Sequence, residues 1–385
     1  MTESTASIRS KLPQVGTTIF SVMSQLAQEH NAVNLSQGFP DFNPDQNLID
    51  AVTRGMNSSM NQYAPMTGLP ALREAISQKV SDLYSVDFDP NSEITVTAGA
   101  TQAIFTAIQA LIGEDDEVLI FQPAYDCYVP AIELANGRHI FYNLEAPSFK
   151  IDWDRVKKLI NHNTRMIIIN TPHNPTGRIW SEEDMLELEK IVVGHDILVL
   201  SDEVYEHIVF DNELHQSALR FPGLRQQSVV VSSFGKTYHC TGWKVGYAVG
   251  PAALMKEFNK VHQYNVFSVN TPAQVGFAEI SADPSSYENL GSFYQERRDY
   301  FRKGLKESKF ELLPCEGSYF QLARYDQISN LPDQDFVREL TSEYGVAAIP
   351  VSSFYQGGTN DNVIRFCFAK SHETLDEGIK RLCAI

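Results

Sequence analysis

Lys236 follows a β-branched run, Val229-Val230-Val231, inside Ser232-Ser233-Phe234-Gly235-Lys236-Thr237. A lysine at the end of a buried strand is costly to desolvate unless its amine is used for chemistry. One such use is a Schiff base with an aldehyde cofactor. Ser233 and Lys244 flank that lysine, and both side chains suit a phosphate.

Other residues fit the same chemistry. Asp202 closes the apolar run Ile197 to Leu200 within Ser201-Asp202-Glu203-Val204-Tyr205. An acid there is either a helix N-cap or the partner of a protonated pyridine nitrogen. Tyr205, three residues on, shares a face with Asp202 if a helical turn begins there, which brings its hydroxyl to the same ring. Asn174 lies in Asn170-Thr171-Pro172-His173-Asn174-Pro175-Thr176-Gly177, a stretch whose prolines and glycine read as a rigid turn after a strand. Its amide is a candidate donor to the cofactor. Gly99-Ala100-Thr101 falls between a strand and a helix, where free N–H groups and the helix dipole suit an anion. Tyr125, in Pro123-Ala124-Tyr125, is either a packing aromatic or a ring stacked on the cofactor. Arg365 sits within the apolar strand Val363-Ile364-Arg365-Phe366-Cys367-Phe368. A guanidinium there should be paired or functional, and its planar fork matches a carboxylate such as that of an amino acid.

These residues need elements to hold them. Ile94 to Thr97, Glu117 to Phe121, Arg165 to Asn170, Ile197 to Leu200 and Val229 to Val231 read as strands. Between them, Gln102 to Ile112 and Ser181 to Gly194 read as helices, the latter opened by a Ser-x-x-Asp cap. Alternating short apolar runs and amphipathic helices predict an α/β fold with a mostly parallel sheet covered on both faces. Such sheets bind ligands at the carboxyl ends of their strands, where every motif above falls. The pattern predicts a large domain over residues 45–283. A smaller α+β domain would combine residues 1–44 with 284–385. It would carry a long charged helix from about Ser286 to Ser308 and strands near Ser318 to Leu322, Val346 to Ile349 and Val363 to Phe368.

The bulk composition excludes several alternatives. A formal net charge of −17 argues against nucleic acid and anionic membrane surfaces as partners. No apolar run approaches the roughly 18–20 residues that span a membrane, and Met1 to Ser10 is polar, unlike a signal peptide. Five scattered cysteines, Cys127, Cys240, Cys315, Cys367 and Cys383, form neither a disulfide framework nor a zinc motif. They read as buried or half-buried free thiols of a cytoplasmic protein. No metal is expected.

Together the motifs resemble the class I/II aminotransferases, fold-type-I enzymes that use pyridoxal 5'-phosphate (PLP). The resemblance runs from Leu35-Ser36-Gln37-Gly38-Phe39-Pro40-Asp41 to Arg365. Asn61-Gln62-Tyr63-Ala64-Pro65-Met66-Thr67-Gly68 and Ser268-Val269-Asn270-Thr271-Pro272-Ala273-Gln274 are most similar to the kynurenine aminotransferase branch, its bacterial methionine-using members included. The resemblance implies a seven-stranded-type sheet in the large domain. It implies that Lys236 carries PLP, that Asp202 pairs with the ring nitrogen, that Asn174 and Tyr205 bond the phenolic oxygen, and that Tyr125 stacks on the ring. Ala100, Thr101, Ser233 and Lys244 would hold the phosphate. Many relatives have arginine at Lys244, so this chain keeps the charge without the bidentate grip. Tyr63 would reach the phosphate of a neighbouring subunit in a homodimer with shared sites. Gly38, Asn174 and Arg365 would bind the substrate.

Ile19, Phe20, Phe39, Tyr63 and Tyr125 suggest an apolar, aromatic pocket, although Ile19 and Phe20 also suit plain packing of an N-terminal helix. No second arginine for a dicarboxylate stands near Val266-Phe267-Ser268-Val269. Methionine and aromatic donors fit such a pocket. The expected activity moves an amino group from one of them to a 2-oxo acid. The nearest alternatives are a PLP-dependent β-lyase acting on cysteine conjugates and a kynurenine or glutamine aminotransferase. A PLP-sensing regulator would need a DNA-binding domain, for which there is no room before Leu12. A Ser-x-x-Lys acyl-enzyme would need partner motifs that are absent.

Overall fold

The computed structural model describes residues 9–359 and 361–385, so Met1 to Ser10 lies almost wholly outside the described residues. Seven strands form the main sheet: β1 (Ile94–Thr97), β2 (Glu117–Gln122), β3 (Arg138–Asn143), β4 (Thr164–Asn170), β5 (Leu198–Asp202), β6 (Ser228–Ser233) and β7 (Gly246–Val249). Their spatial order is β1-β7-β6-β5-β4-β2-β3. All run parallel except β7, which is antiparallel to both its neighbours.

The strands are apolar on both faces because both faces are covered. Val118, Ile120, Met166, Ile168, Leu198, Leu200, Val229 and Val231 enter one core. Their alternates Leu119, Phe121, Ile167, Ile169, Val199 and Val230 enter another on the opposite side. The helix Ala100–Leu111 packs into the first core through Ala103, Ile104, Ala107 and Ile108. The helix Glu182–Val192 packs into the second, and its start carries the reciprocal Ser181–Asp184 capping box read from the sequence.

A second sheet joins β8 (Glu311–Leu312), β9 (Phe320–Arg324), β10 (Ile349–Pro350) and β11 (Val363–Cys367) in the antiparallel order β10-β11-β9-β8. Its core takes in the N-terminal helix Ile19–Glu29 through Met23 and the C-terminal helix His372–Leu382 through Leu375 and Leu382.

Three expectations need correction. The single helix over Ser286 to Ser308 is two, Ser285–Glu288 and Leu290–Gly304, divided at Asn289, a weak helix former whose side chain competes for backbone hydrogen bonds. The strand over Val346 to Ile349 also divides. Val346 and Ala347 pair with Val33 and Asn34, whereas Ile349 and Pro350 pair with Arg365 and Ile364 in the other sheet. All five cysteines are free thiols, and Cys383 is exposed rather than buried.

Candidate functional site

The strand ends open onto one cavity of about 410 Å³. Register explains the convergence. Asn170 pairs with Asp202 at the ends of β4 and β5, while Gly246 pairs with Thr97 on one side and Ser233 on the other. Because β7 is antiparallel, its first residue reaches this edge, and Lys244, just before it, joins the loops that follow β1, β4, β5 and β6. Gly38, Phe39, Ala100, Thr101, Tyr125, Asn174, Asp202, Tyr205, Ser233, Lys236, Lys244 and Arg365 all line the cavity, as does Phe20.

Lys236 is carried by the short helix Phe234–Thr237 directly after β6. Its Nζ donates to the Gly38 carbonyl at 3.1 Å and to the Tyr319 hydroxyl at 2.9 Å. Burial pulls its pKa down to about 8; Lys244 and Arg365 act in the same direction, while Cys367 and Asp202 oppose it. Such an amine is neutral often enough near neutral pH to act as a nucleophile or base.

Asp202 is buried, and its Oδ2 accepts a 2.6 Å hydrogen bond from the Tyr128 hydroxyl. Burial raises its pKa to about 6, although Tyr128, the Val204 N–H and Lys236 all favour the ionised form. A cation placed beside it would complete the ion pair that burial withholds. Tyr205 is also buried, and desolvation pushes its phenol well above the usual range, so it remains a hydrogen-bond donor.

Asn174 Oδ1 accepts from Arg365 Nη1 at 2.6 Å. Arginine only donates, which fixes the amide orientation and leaves the Asn174 Nδ2 protons available. Arg365 is 1% exposed, stacks 3.9 Å from the Phe320 ring centroid and gives a second bond to the Ser36 carbonyl. Its Nε is buried without a partner among the described residues. Burial lowers its pKa to about 10, which keeps it cationic at neutral pH. A buried cation with an unused donor is a site waiting for an anion.

The opposite end of the cavity is an anion cradle. The helix Ala100–Leu111 has no side-chain cap, and its preceding residue, Gly99, holds φ +80. A Cβ at Gly99 would lie 3.3 Å from Lys244 Nζ. At Gly246 a Cβ would lie 3.1 Å from the Ala100 amide and 2.6 Å from the Ser232 carbonyl, so only glycine lets these segments meet. Free N–H groups at Ala100 and Thr101, the Ser233 hydroxyl and the Lys244 ammonium form a set suited to a phosphate. The Tyr125 hydroxyl lies 3.3 Å from that of Thr101.

Two residues expected in the side-chain pocket do not line this chain's cavity. Ile19 packs against the core of the second sheet; Phe20, about 100° further round the helix, lines the cavity instead. Tyr63 is 82% exposed, with its ring edge-on to Phe267 at 5.4 Å. Three residues at the site were not legible. Tyr128 and Tyr319 are plain aromatics in sequence. Asn170, which pins the turn by bonding the Asn174 N–H and the Asp202 carbonyl, looks like any strand end.

A carboxylate for a ring nitrogen, a weakly basic lysine, an uncapped helix start and a buried guanidinium match the groups of PLP with an amino acid. Residues 30–382 match the family model for aminotransferase class I and II. The chain is 51% identical to the methionine aminotransferase of Escherichia coli (strain K12) over 375 residues, 97% of each protein. The Escherichia coli YbdL structure, solved with a reactivity that identified a methionine aminotransferase function, matches with a TM-score of 0.97 at 50% identity, over 99% of this chain and 100% of that one. Human kynurenine–oxoglutarate transaminase 1 is 33% identical over 395 residues, 93% of this chain and 94% of that protein.

Proposed function

Because the chain belongs to the class I and II aminotransferases, we propose that it moves the amino group of methionine, or of an aromatic amino acid, to a 2-oxo acid with PLP as cofactor. The observation that carries this reading is the one cavity holding Lys236, Asp202, the uncapped helix start and Arg365 together. Lys236 is the attachment residue, and Ala100, Thr101, Ser233 and Lys244 hold the phosphate. Asp202 partners the ring nitrogen, Asn174 and Tyr205 the phenolic oxygen, and Tyr125 a ring face. When bound, PLP supplies an aldehyde that captures amines and a protonated ring that stores the electron pair left on the α-carbon.

The chain's own residues do the rest. Arg365 and Gly38 bind and orient the α-carboxylate of the incoming amino acid. Once displaced, the Lys236 amine takes the α-proton at Nζ. Asp202, steadied by the Tyr128 hydroxyl, keeps a negative charge where a cation is needed. Phe20, Phe39 and Phe320 give the wall an aromatic character that favours thioether and aromatic side chains.

The test is the visible absorbance of the purified protein during titration with L-methionine, L-phenylalanine, L-kynurenine, L-glutamine and L-aspartate. Methionine or an aromatic donor should discharge the cofactor band, and a 2-oxo acid should restore it. Discharge by aspartate alone would refute the substrate reading, and no visible band after adding PLP would refute the cofactor.

The working unit is a homodimer in which Tyr63 reaches the neighbouring chain's phosphate. The exposed aromatics Tyr63, Tyr264 and Phe267 support this. Residues 45–283 make up the large domain, and 1–44 with 284–385 the small one. A cytoplasmic location suits the acidic, disulfide-free chain, in which no described helix is long and apolar enough to cross a membrane.

A further inference from the structure

We propose that Tyr319 and the Gly38 carbonyl form a seat for the Lys236 amine whenever it is not bonded to cofactor, holding it with its lone pair free. This rests on the reading that Lys236 is the reacting amine. Three polar atoms close a triangle. Lys236 Nζ lies 2.9 Å from Tyr319 Oη and 3.1 Å from the Gly38 oxygen, and Tyr319 Oη lies 2.5 Å from that same oxygen. A carbonyl only accepts, so the single Tyr319 proton goes to Gly38, and the phenolic oxygen turns its lone pairs toward the lysine. Lys236 therefore donates to both.

The consequence is chemical. A neutral amine has two N–H bonds, and both are engaged by the seat. Its lone pair, in the remaining tetrahedral direction, is bonded to nothing in the triangle. A tyrosine that instead donated its proton to the amine would blunt it as a base. Burial keeps the Tyr319 phenol well above its ordinary pKa, with Tyr205 adding to the effect, so its proton stays in place. The ring is fully buried and braced by Phe320, Tyr205 and Tyr294, at centroid distances of 4.9, 5.1 and 5.6 Å.

The seat also links the lysine to the substrate side. Gly38 lies between Gln37, which bonds the Phe20 carbonyl at 2.9 Å, and Phe39, whose carbonyl accepts from the buried Lys370 at 2.7 Å. The wall that meets the amino acid thus carries one of the two acceptors for the amine that must take its proton. Tyr319 is a positioning residue, acting through Lys236.

The test uses the full-length protein loaded with pyridoxamine phosphate, an amine that leaves Lys236 unbonded. Competitive acetylation across pH, read by mass spectrometry of the Lys236 peptide, gives the lysine's titration. In Tyr319→Phe the charged amine loses one acceptor, so its pKa should fall by about one unit. The kcat should fall about tenfold while KM stays within about twofold. An unchanged titration, or an unchanged kcat, would overturn the proposal. Thermal unfolding of Tyr319→Phe in the native and Lys236→Met backgrounds guards against a merely structural role: the bond to Gly38 is lost in both, so a larger loss in the chain with Lys236 supports the seat, and equal loss in both overturns it. Failure of the cofactor reading would show separately, as no binding of pyridoxamine phosphate, and acetylation of the cofactor-free full-length chain would still report the triangle.

Discussion

Lys236 and Arg365 are perturbed by the same cause, and the consequences differ. Burial lowers both pKa values, but Lys236 at about 8 crosses into the working range of an enzyme while Arg365 at about 10 does not. At pH 7 about a tenth of such a lysine is neutral, against fewer than about one in a thousand for an unperturbed one. A lowered pKa means that the neutral, reactive form grows as pH rises, reaches half at about 8 and is nearly complete by about 9. The rate at which the cofactor-free protein captures PLP should therefore rise about tenfold per unit below about pH 7, bend near pH 8 and level above about pH 9. Stopped-flow absorbance from pH 6 to 9.5 reads this directly, and a flat profile would remove the lysine from that role. Lys236→Ala should lose nearly all turnover. Arg365→Lys keeps the charge but not the fork, and losing one charged hydrogen bond should raise KM for the amino donor roughly 10- to 100-fold with a smaller effect on kcat. An unaltered KM would place the carboxylate elsewhere.

The elements behind the site are held by a buried charge pair. Lys79, on the helix Pro70–Tyr84, donates to Glu206 at 2.7 Å and to Tyr247 of β7 at 2.6 Å. Glu206 also accepts from Ser232 of β6 at 2.5 Å and from Tyr84 at 2.9 Å. Burial alone would raise the Glu206 carboxyl, but Lys79, His207 and Ser232 outweigh it and hold the group ionised. Glu206 follows Tyr205, and Ser232 precedes Ser233, so one network braces both turns that lead into the proposed site. Lys79→Met would strand a buried carboxylate at a cost of about 3–5 kcal/mol. Calorimetry should show a Tm several degrees lower, largely recovered by adding Glu206→Leu; an unmoved Tm would mean the pair braces nothing. The strands were legible where burial on both faces leaves an unbroken apolar run, as in Met166 to Ile169. The edge strand β3, Arg138-His139-Ile140-Phe141-Tyr142-Asn143, was missed because one side of it meets solvent and its polar residues mask the pattern. The antiparallel β7 was missed because four residues after a glycine loop look like part of the loop. The charged residues of the proposed site were legible because charge beside an apolar run has few bland explanations. Tyr128, Tyr319 and the Lys79–Glu206 network were not, because their roles depend on contacts between segments far apart in the chain.

At the scale of the whole molecule, one chain leaves its own cradle open. Lys244 is exposed beside the uncapped helix start, and Tyr63 does not line the cavity and keeps most of its surface in solvent. A phosphate bound there by a single chain would face water on one side, and an exposed ion pair is weak in water. A second copy that brings its Tyr63 hydroxyl to this cradle would both exclude water and add a donor, at the cost of burying aromatics that otherwise stand exposed. That arrangement makes a prediction no single-chain enzyme can imitate. Lys236→Ala and Tyr63→Ala chains should each be nearly inactive alone. In a mixed dimer of the two, one site combines both lesions. The other has Lys236 from the Tyr63→Ala chain and Tyr63 from the Lys236→Ala chain, and is whole. Unfolding and refolding an equal mixture yields hybrids as about half of all dimers, so activity should return to about a quarter of the parent level. If Tyr63 served the cavity of its own chain, no pairing would restore a complete site, and the mixture would stay as inactive as its parts.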